Sequence, residues 1–302
     1  MKLIITSINH KVDKDKYSFF IFDTETNRVI DKVPYLPELD PELGVTTEKN
    51  YFLPWGITQA RGNIYIASNH TICSFDSDTL EYNGTISNSG AAATHQIAYH
   101  DGYIYRANTS NDTVTRIDLD TLEEIHFSFK DFSITDIFEI PDNDDSLDYR
   151  HLNSITVHDG KIYVLAHNRN MTESEVFILN KDMTHVESLS SLDFICHEII
   201  ISDGYLYSLG TSSGTLIKLD LATLNLEKIV IANPSELFLR GAVLKDNSII
   251  AFANQRRKVI AAAEDAPIAD MITVSLDDMS IQTVAVPEIS ELNDIQEYIQ
   301  QK

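Results

Sequence analysis

The sequence contains few cysteines, few basic residues and no long apolar run. Only two of its 302 residues are cysteines, Cys73 and Cys196, and two thiols cannot form the disulfide framework of a small secreted domain. The apolar run at the N-terminus is too short for a secretory signal, and no stretch approaches the roughly 18 apolar residues of a membrane-spanning helix. The sequence therefore predicts a globular protein of a reducing compartment, the cytoplasm.

Basic residues are outnumbered two to one by acidic residues. Lysine and arginine together number 23, aspartate and glutamate number 46, and the formal net charge is −23. A surface of this charge repels phosphate backbones and anionic lipid, so we expect no nucleic-acid partner and no membrane partner. The hydrophobic fraction of 43% is enough for a packed core, which excludes an intrinsically disordered chain.

Helical periodicity is also almost absent, and two repeated strand patterns take its place. The turn pattern is a strand that ends in an Asp-rich or Asn-rich turn. Its six copies begin at Phe22, Phe75, Ile117, Leu179, Leu219 and Ser275. The hairpin pattern is an apolar strand, a tight turn and an aromatic-rich strand. Its five copies begin at Trp55, His95, Asn153, His197 and Arg240. Seven residues into each copy stands a glycine or asparagine, residue types that tolerate the positive φ of a tight turn.

Together the two patterns describe four short antiparallel strands per repeat. Successive hairpin patterns begin 40 to 58 residues apart, a spacing typical of propeller blades. The sequence therefore predicts an all-β fold, a single six-bladed β-propeller domain over residues 1–302. The first blade lacks one strand, which a C-terminal strand from Leu292 can supply, with Asn293 and Ile295 in the first and third places of the repeat. The alternative for residues 292–299 is a C-terminal helix.

The first position of the hairpin pattern indicates a binding site. In a propeller the first strand of each blade lines the central channel, so these residues are expected at the channel mouth. A structural lining would favour small or apolar residues, whereas this position holds mostly polar and aromatic ones: Trp55, His95, Asn153, His197, Arg240 and, in the closing blade, Asn293. His151 lies two residues before Asn153 and is expected on the same strand and face. Glu198, beside His197, is expected to face the opposite way.

A second polar position follows fourteen residues later. It holds Asn69, Thr109, His167, Thr211 and Asn254. Asparagine and threonine often cap hairpins, so we favour a structural role for this set. His167 is kept as a candidate substrate-binding residue.

These short motifs resemble a known group of propellers. The HQI at His95, HLNSI at His151, CHE at Cys196 and LRGA at Leu239 resemble an uncharacterised bacterial propeller family with HLN, CH and RG blades. The sequence departs from that family after His197, where Glu198 replaces an expected small residue. More broadly it is similar to six-bladed propellers of the gluconolactonase, NHL-repeat and virginiamycin-lyase type. The resemblance implies a ligand site at the channel mouth and, in the lyases and lactonases, a metal there, but it transfers no substrate.

The first functional hypothesis is an enzyme, a lyase or hydrolase, that acts on a small anionic molecule. Arg240 would hold the anion, and Trp55, Asn153 and His167 would complete the substrate-binding set. The candidate catalytic residues are the imidazoles that could act as acid or base: His95, His197 and His151. In a metal-assisted variant the same three histidines would bind one divalent metal ion.

The second hypothesis is a non-catalytic propeller that serves as a scaffold or sensor and binds a protein partner. In that case Arg240 would pair with a carboxylate of the protein itself. Clustering of histidine, arginine and asparagine at one channel end favours the ligand site over the scaffold.

Overall fold

The computed structural model describes residues 1–7, 17–34, 54–68, 71–87, 93–135, 148–255, 269–289 and 292–300. They form six antiparallel sheets arranged as the blades of a propeller, as the sequence predicts. Two short 3-10 helices, Thr109–Asn111 and Asn168–Asn170, follow second strands of blades. No helix in the described ranges is long and apolar enough to cross a membrane.

Within the described ranges each blade contains four strands, and one blade has a fifth. Blade 1 comprises β25 (Leu292–Glu297), β1 (Lys2–Ser7), β2 (Tyr17–Asp23) and β3 (Arg28–Pro34). Blade 2 comprises β4 (Ile57–Ala60), β5 (Asn63–Ala67), β6 (Ile72–Asp76) and β7 (Tyr82–Ser87). Blade 3 comprises β8 (Thr94–His100), β9 (Tyr103–Asn108), β10 (Thr113–Asp118), β11 (Glu124–Ser128) and β12 (Ser133–Thr135).

The remaining three blades each follow the repeat from first strand to fourth. Blade 4 comprises β13 (Leu152–His158), β14 (Lys161–Ala166), β15 (Glu175–Asn180) and β16 (His185–Leu189). Blade 5 comprises β17 (Cys196–Ser202), β18 (Tyr205–Gly210), β19 (Thr215–Asp220) and β20 (Leu226–Val230). Blade 6 comprises β21 (Leu237–Lys245), β22 (Ser248–Gln255), β23 (Ala269–Ser275) and β24 (Ile281–Val286).

Both repeated patterns correspond to defined turns. The hairpin between β8 and β9 has positive φ at Asp101 (50°) and Gly102 (89°), the two-residue turn that matches the twist of antiparallel strands. In the turn pattern, the Asp118 carboxylate accepts hydrogen bonds from the backbone N–H groups of Asp120 and Thr121. These local bonds satisfy turn N–H groups and explain why aspartate recurs there.

The hydrophobic core is divided among the blade interfaces. Six buried clusters occur in the described part of the chain, one between each pair of adjacent blades. The cluster between blades 3 and 4, for example, joins Phe127 and Phe129 to Phe177. Alternation along each strand supplies one apolar face to either neighbour. The first strands of the six blades contact one another in a ring around the central channel.

The C-terminal segment closes the ring as a strand. β25 pairs antiparallel with β1, with Ile295 opposite Ile5, so the C-terminal strand predicted from Asn293 and Ile295 is confirmed and the helix alternative is wrong. Leu292 and Ile295 are buried against blade 6. Closure removes the unpaired strand edges of an open toroid.

The first strands are irregular where they enter the channel mouth. In β8, Thr94 pairs with Asn108 and Gln96 with Ala107, which leaves His95 as an extra residue. Asn153 and Asn293 are extra residues in the same way. In β17 the irregularity includes Glu198, which has a φ of 67°. A bulge re-aims side chains locally, so strict alternation fails at this end of the channel.

Candidate functional site

Aromatic side chains from blades 2, 3 and 4 form one half of a ring at the channel mouth. Trp55 stacks on His95, with ring centroids 4.8 Å apart and planes inclined by 21°. His95 meets His151 edge to face at 5.2 Å, and His151 stacks on His167 at 4.0 Å. The structure thus brings together four of the side chains that the sequence nominates.

Blades 5 and 6 complete the ring. The centroid of His197 lies 5.7 Å from that of His167 and 5.4 Å from that of Phe238. The Arg240 guanidinium carbon lies 5.6 Å from the Phe238 centroid and 5.5 Å from the Trp55 centroid, within cation–π range of both. The circuit is closed, and we call it the mouth ring: Trp55, His95, His151, His167, His197, Phe238 and Arg240. Phe238 was missed from the sequence, although it stands two residues before a first-position residue, as His151 does.

Two asparagines connect the ring to the blades. Arg240 Nη1 donates to Asn293 Oδ1 (2.9 Å), and Asn293 Nδ2 donates to the Pro54 carbonyl (2.7 Å). Asn153 Nδ2 donates in the same way to the Cys196 carbonyl (2.9 Å). The Asn153 amide therefore joins blades 4 and 5, while its Oδ1 atom is buried with no hydrogen-bond partner in the described structure.

The second polar position is largely structural. The Thr109 hydroxyl donates to the Leu152 carbonyl (2.6 Å), and the Thr211 hydroxyl donates to the Leu239 carbonyl (2.9 Å). Asn254 exchanges hydrogen bonds with the backbone of Leu292. Each residue joins its blade to the next one, whereas His167 lies in the mouth ring and Asn69 lies outside the described residues.

His151 reaches the ring by a route that strand alternation does not predict. It precedes β13 and has a φ of 53°, so the expectation that it lies on the same strand as Asn153 is wrong. The Asp112 carboxylate of blade 3 instead accepts the backbone N–H groups of Tyr149, Arg150 and His151 at 2.8 to 3.0 Å. A side chain of a neighbouring blade therefore sets the position of this imidazole.

An aspartate orients the His151 ring. Asp148 Oδ2 lies 2.8 Å from His151 Nδ1 and also accepts a hydrogen bond from Arg169 Nε (3.0 Å). Burial alone would raise the Asp148 pKa, but the hydrogen bonds from His151 and Arg169 outweigh it, so the pKa lies below its usual value. An ionised carboxylate only accepts, and His151 Nδ1 is therefore the donor. An aspartate that holds an imidazole in one tautomer is a common arrangement in acid–base sites.

Three imidazoles of the ring are neutral at physiological pH. Burial and the neighbouring side chains of His151 and Arg240 lower the pKa of His95 well below its ordinary value. Burial and Arg240 do the same to His197, and burial with His151 lowers the pKa of His167 to about 3. A neutral imidazole offers one donor and one acceptor, so these three rings present dipoles around the Arg240 cation.

On three of the six first strands the next residue also faces the channel, and these three residues form a second structure, which we call the hub: Gln96, Glu198 and Asp294. Gln96 Nε2 donates to Glu198 Oε1 (2.7 Å) and to Asp294 Oδ1 (3.3 Å). Its Oε1 atom accepts from the Ser154 hydroxyl and from the Ile155 N–H. The expectation that Glu198 faces away from the channel is wrong, because its positive φ turns the side chain inward.

The hub joins all six blades. Asp294 of blade 1 accepts the Ile57 N–H of blade 2 (2.9 Å), and Glu198 of blade 5 accepts the Ala242 N–H of blade 6 (3.4 Å). Burial and mutual repulsion raise the pKa of Glu198 to about 8, and burial raises that of Asp294 to about 7. A cavity of about 430 Å³ begins at the hub, and no mouth-ring residue is among the described residues that line it. The hub therefore separates the mouth ring from the rest of the channel.

The metal-assisted variant has no support in this arrangement. Within the described ranges, no group of three or more histidine, cysteine, aspartate or glutamate side chains is placed to hold a metal ion. His95, His151 and His197 were the candidate ligands, but His197 contacts His167 and Phe238 in the ring rather than the other two. Ring faces and edges meet here, so the side chains pack as an aromatic circuit.

Comparison with known proteins places the fold but not the function. No protein-family model matches the sequence, and no curated protein matches it. The structure is similar to a chain in the crystal structure of a nidogen/laminin complex, with a TM-score of 0.67, 11% identity and 100% of both chains covered. A protein of unknown function from Bacteroides caccae aligns with a TM-score of 0.66 and 9% identity over 97% of each chain. A hydrazine synthase chain of Kuenenia stuttgartiensis aligns with a TM-score of 0.57 and 14% identity, covering 84% of this chain and 69% of that one.

Identities this low show the six-bladed propeller fold alone. The narrower resemblance to gluconolactonase, NHL-repeat and virginiamycin-lyase propellers stays a prediction, as does the cytoplasmic location.

Proposed function

We propose that the mouth ring binds a small anionic molecule and performs acid–base chemistry on it, as a lyase or hydrolase does. The observation that supports this proposal is the closed circuit itself. Side chains from five blades converge there, and a guanidinium stands among imidazoles whose pKa values lie below physiological pH. Such convergence of planar polar groups at a channel end is typical of a ligand site.

Arg240 is the group that would recognise the anion. Its guanidinium lies between the Trp55 and Phe238 rings, which fix its orientation. A guanidinium has five N–H donors in one plane and pairs well with carboxylate, sulfate or phosphate. Arg240 and the two flanking rings are half-buried, and electrostatic attraction is stronger in a partly buried site than in bulk water.

The imidazoles are the groups that would move protons. His151 is oriented by Asp148 through Nδ1, which leaves Nε2 for a ligand. His197 is neutral and can accept a proton from a ligand. An oriented imidazole and a neutral one in a single ring provide an acid–base pair for elimination or hydrolysis.

A thermal-shift experiment tests the anion site. Carboxylates, sulfate and phosphate would be screened against wild type, Arg240→Gln and Arg116→Gln. Arg116 is a matched control, because it also lies over an aromatic ring, Tyr103, at 4.8 Å, but away from the channel mouth. An anion present at a hundredfold excess over its Kd should stabilise wild type and Arg116→Gln by about 2.7 kcal/mol.

The same anion should leave Arg240→Gln unshifted. If Arg240→Gln lowers the melting temperature but keeps the full anion response, Arg240 is a structural residue and the proposal is overturned.

The second candidate is a scaffold that binds a protein partner. It is favoured by the likeness to a chain from a nidogen/laminin complex, which is an assembly of two proteins. A scaffold does not require a polar aromatic ring at its channel mouth, so the mouth ring favours the anion site over this candidate. If the protein is a scaffold, no small anion should shift the melting temperature of any of the three proteins.

A further inference from the structure

Two neighbouring imidazoles of the mouth ring are held in opposite tautomers. His197 Nδ1 lies 2.8 Å from the Thr211 hydroxyl, which itself lies 2.9 Å from the Leu239 carbonyl oxygen. A hydroxyl has one proton to donate, and the carbonyl can only accept. The Thr211 proton is therefore committed to Leu239, and the hydroxyl accepts from His197. His197 thus carries its proton on Nδ1.

His167 is held in the opposite tautomer to His197. Its Nδ1 atom accepts a hydrogen bond from the backbone N–H of Arg169 (3.0 Å). Because the donor is a backbone amide, Nδ1 must carry the lone pair. With its pKa lowered to about 3, the neutral ring then carries its proton on Nε2.

The two rings therefore offer complementary atoms. His197 Nε2 is a hydrogen-bond acceptor, and His167 Nε2–H is a donor. Both Nδ1 atoms form hydrogen bonds with blade residues, so the Nε2 atoms point away from those residues. Neither Nε2 atom has a hydrogen-bond partner in the described part of the chain. The ring centroids are 5.7 Å apart, a separation that one ligand group can bridge.

We propose that the ligand is a hydroxycarboxylate, and this inference rests on the proposed anion site. A hydroxyl group both donates and accepts at one oxygen, so it matches the acceptor on His197 and the donor on His167 at the same time. The carboxylate meets Arg240, which adjoins His197 in the ring through Phe238. Thr211 is then a positioning residue, because it fixes the tautomer of His197.

The tautomers can be tested without any ligand. Nitrogen-15 NMR of histidine-labelled protein should show His197 protonated on Nδ1 and His167 protonated on Nε2. Thr211→Val removes the acceptor for Nδ1–H and should shift His197 toward the other tautomer. Thr109→Val is the matched control, since it removes the same type of hydrogen bond to the next blade, the one to Leu152, without touching a histidine. Wild-type His197 protonated on Nε2 would overturn the inference.

Paired ligands test the substrate class. Lactate and malate should bind wild type and Thr109→Val at least tenfold more tightly than propionate and succinate, which lack the hydroxyl. Thr211→Val should lose this preference and keep the affinity for propionate and succinate. Equal binding of the paired acids by wild type would overturn the hydroxyl selection and leave the anion site intact. If none of the four acids binds, the hydroxycarboxylate proposal is overturned. If sulfate and phosphate also fail to bind, the proposed anion site is overturned as well.

Discussion

The mouth ring and the hub are built from adjacent residues of the same repeat, yet they use their polar atoms in opposite ways. In the hub, Gln96 satisfies two carboxylates with its amide N–H groups and receives two donors on its oxygen. In the mouth ring, His95 stacks on Trp55, and His167 and His197 bond to the blades through Nδ1 alone. Polar groups whose hydrogen-bonding atoms are all paired hold the blades together. Imidazoles with one nitrogen unpaired are available to a ligand.

The difference follows from the cost of burial. A buried carboxylate is tolerated only when donors surround it or a proton neutralises it, and the hub provides both. An imidazole becomes neutral at physiological pH with a modest pKa shift, so it can be buried while one nitrogen stays unpaired. The hub should therefore govern stability, and the mouth ring should govern binding.

The largest expected effect is on the hub residue Gln96. Gln96→Leu preserves the approximate size but leaves Glu198 and Asp294 without their shared donor. It also removes the acceptor for Ser154 and Ile155. Buried groups left without partners should lower the free energy of unfolding by about 3 kcal/mol or more, measured by urea denaturation at pH 7.

The matched control is Gln282→Leu, on the exposed face of β24. It should change the free energy of unfolding by less than about 0.5 kcal/mol. If Gln96→Leu were equally mild, the hub would not be the structural centre of the ring of blades.

A smaller effect concerns the pH dependence of stability. The pKa values of Glu198 and Asp294 are raised in the native protein to about 8 and about 7, above unfolded values of about 4.3 and 3.9. Between these limits the native chain holds protons that the unfolded chain has lost, so stability falls as pH rises. From pH 6.5 to pH 8 wild type should lose on the order of 1–2 kcal/mol.

Glu198→Gln removes one titrating group and its repulsion of Asp294, and should lose less than half as much over this range. Over the same range the three imidazoles with lowered native pKa values raise stability by about 0.4 kcal/mol each, and they offset part of the carboxyl effect equally in wild type and in the variant. Melting curves of wild type, Glu198→Gln and the exposed control Glu227→Gln would measure the slopes. A Glu198→Gln slope as steep as that of wild type would show that the carboxyl pair does not hold the proton.

The sequence predicted the blades better than it predicted the channel. Turn residues such as Gly102 and the aspartates of the turn pattern act locally, so a strand count from them was correct. The alignment of Asn293 and Ile295 with the repeat likewise gave the closing strand. Strand alternation failed for Glu198 and His151, because positive φ values at the channel end reverse side-chain directions.

The remaining site residues depend on contacts between distant parts of the chain. Asp112 holds the segment before β13 from a neighbouring blade, 39 residues away from His151 in the sequence. Phe238 joins the ring only because blades 5 and 6 pack side by side. Pairings of this kind carry no local sequence pattern.

The smallest expected effect on stability comes from a substitution in the mouth ring. It tests whether the mouth ring, unlike the hub, contributes little to stability. His95→Phe keeps the stack on Trp55 and removes two ring nitrogens that make no hydrogen bond with any described residue. At pH 8 the free energy of unfolding should therefore stay within about 0.5 kcal/mol of wild type, in contrast to Gln96→Leu at the next position.

At lower pH the variant should become the more stable protein. The native pKa of His95 lies well below its ordinary value. Below about pH 6.5 His95 is therefore protonated in the unfolded state but not in the native state, and the stability of wild type decreases as the pH is lowered. At pH 5.5 this difference amounts to about 1.4 kcal/mol, and phenylalanine abolishes it. Urea denaturation at pH 8 and pH 5.5 measures both values. If His95→Phe lowered the free energy of unfolding by more than about 2 kcal/mol at pH 8, His95 would be a structural residue like those of the hub. That result would contradict the interpretation of the mouth ring as a binding site.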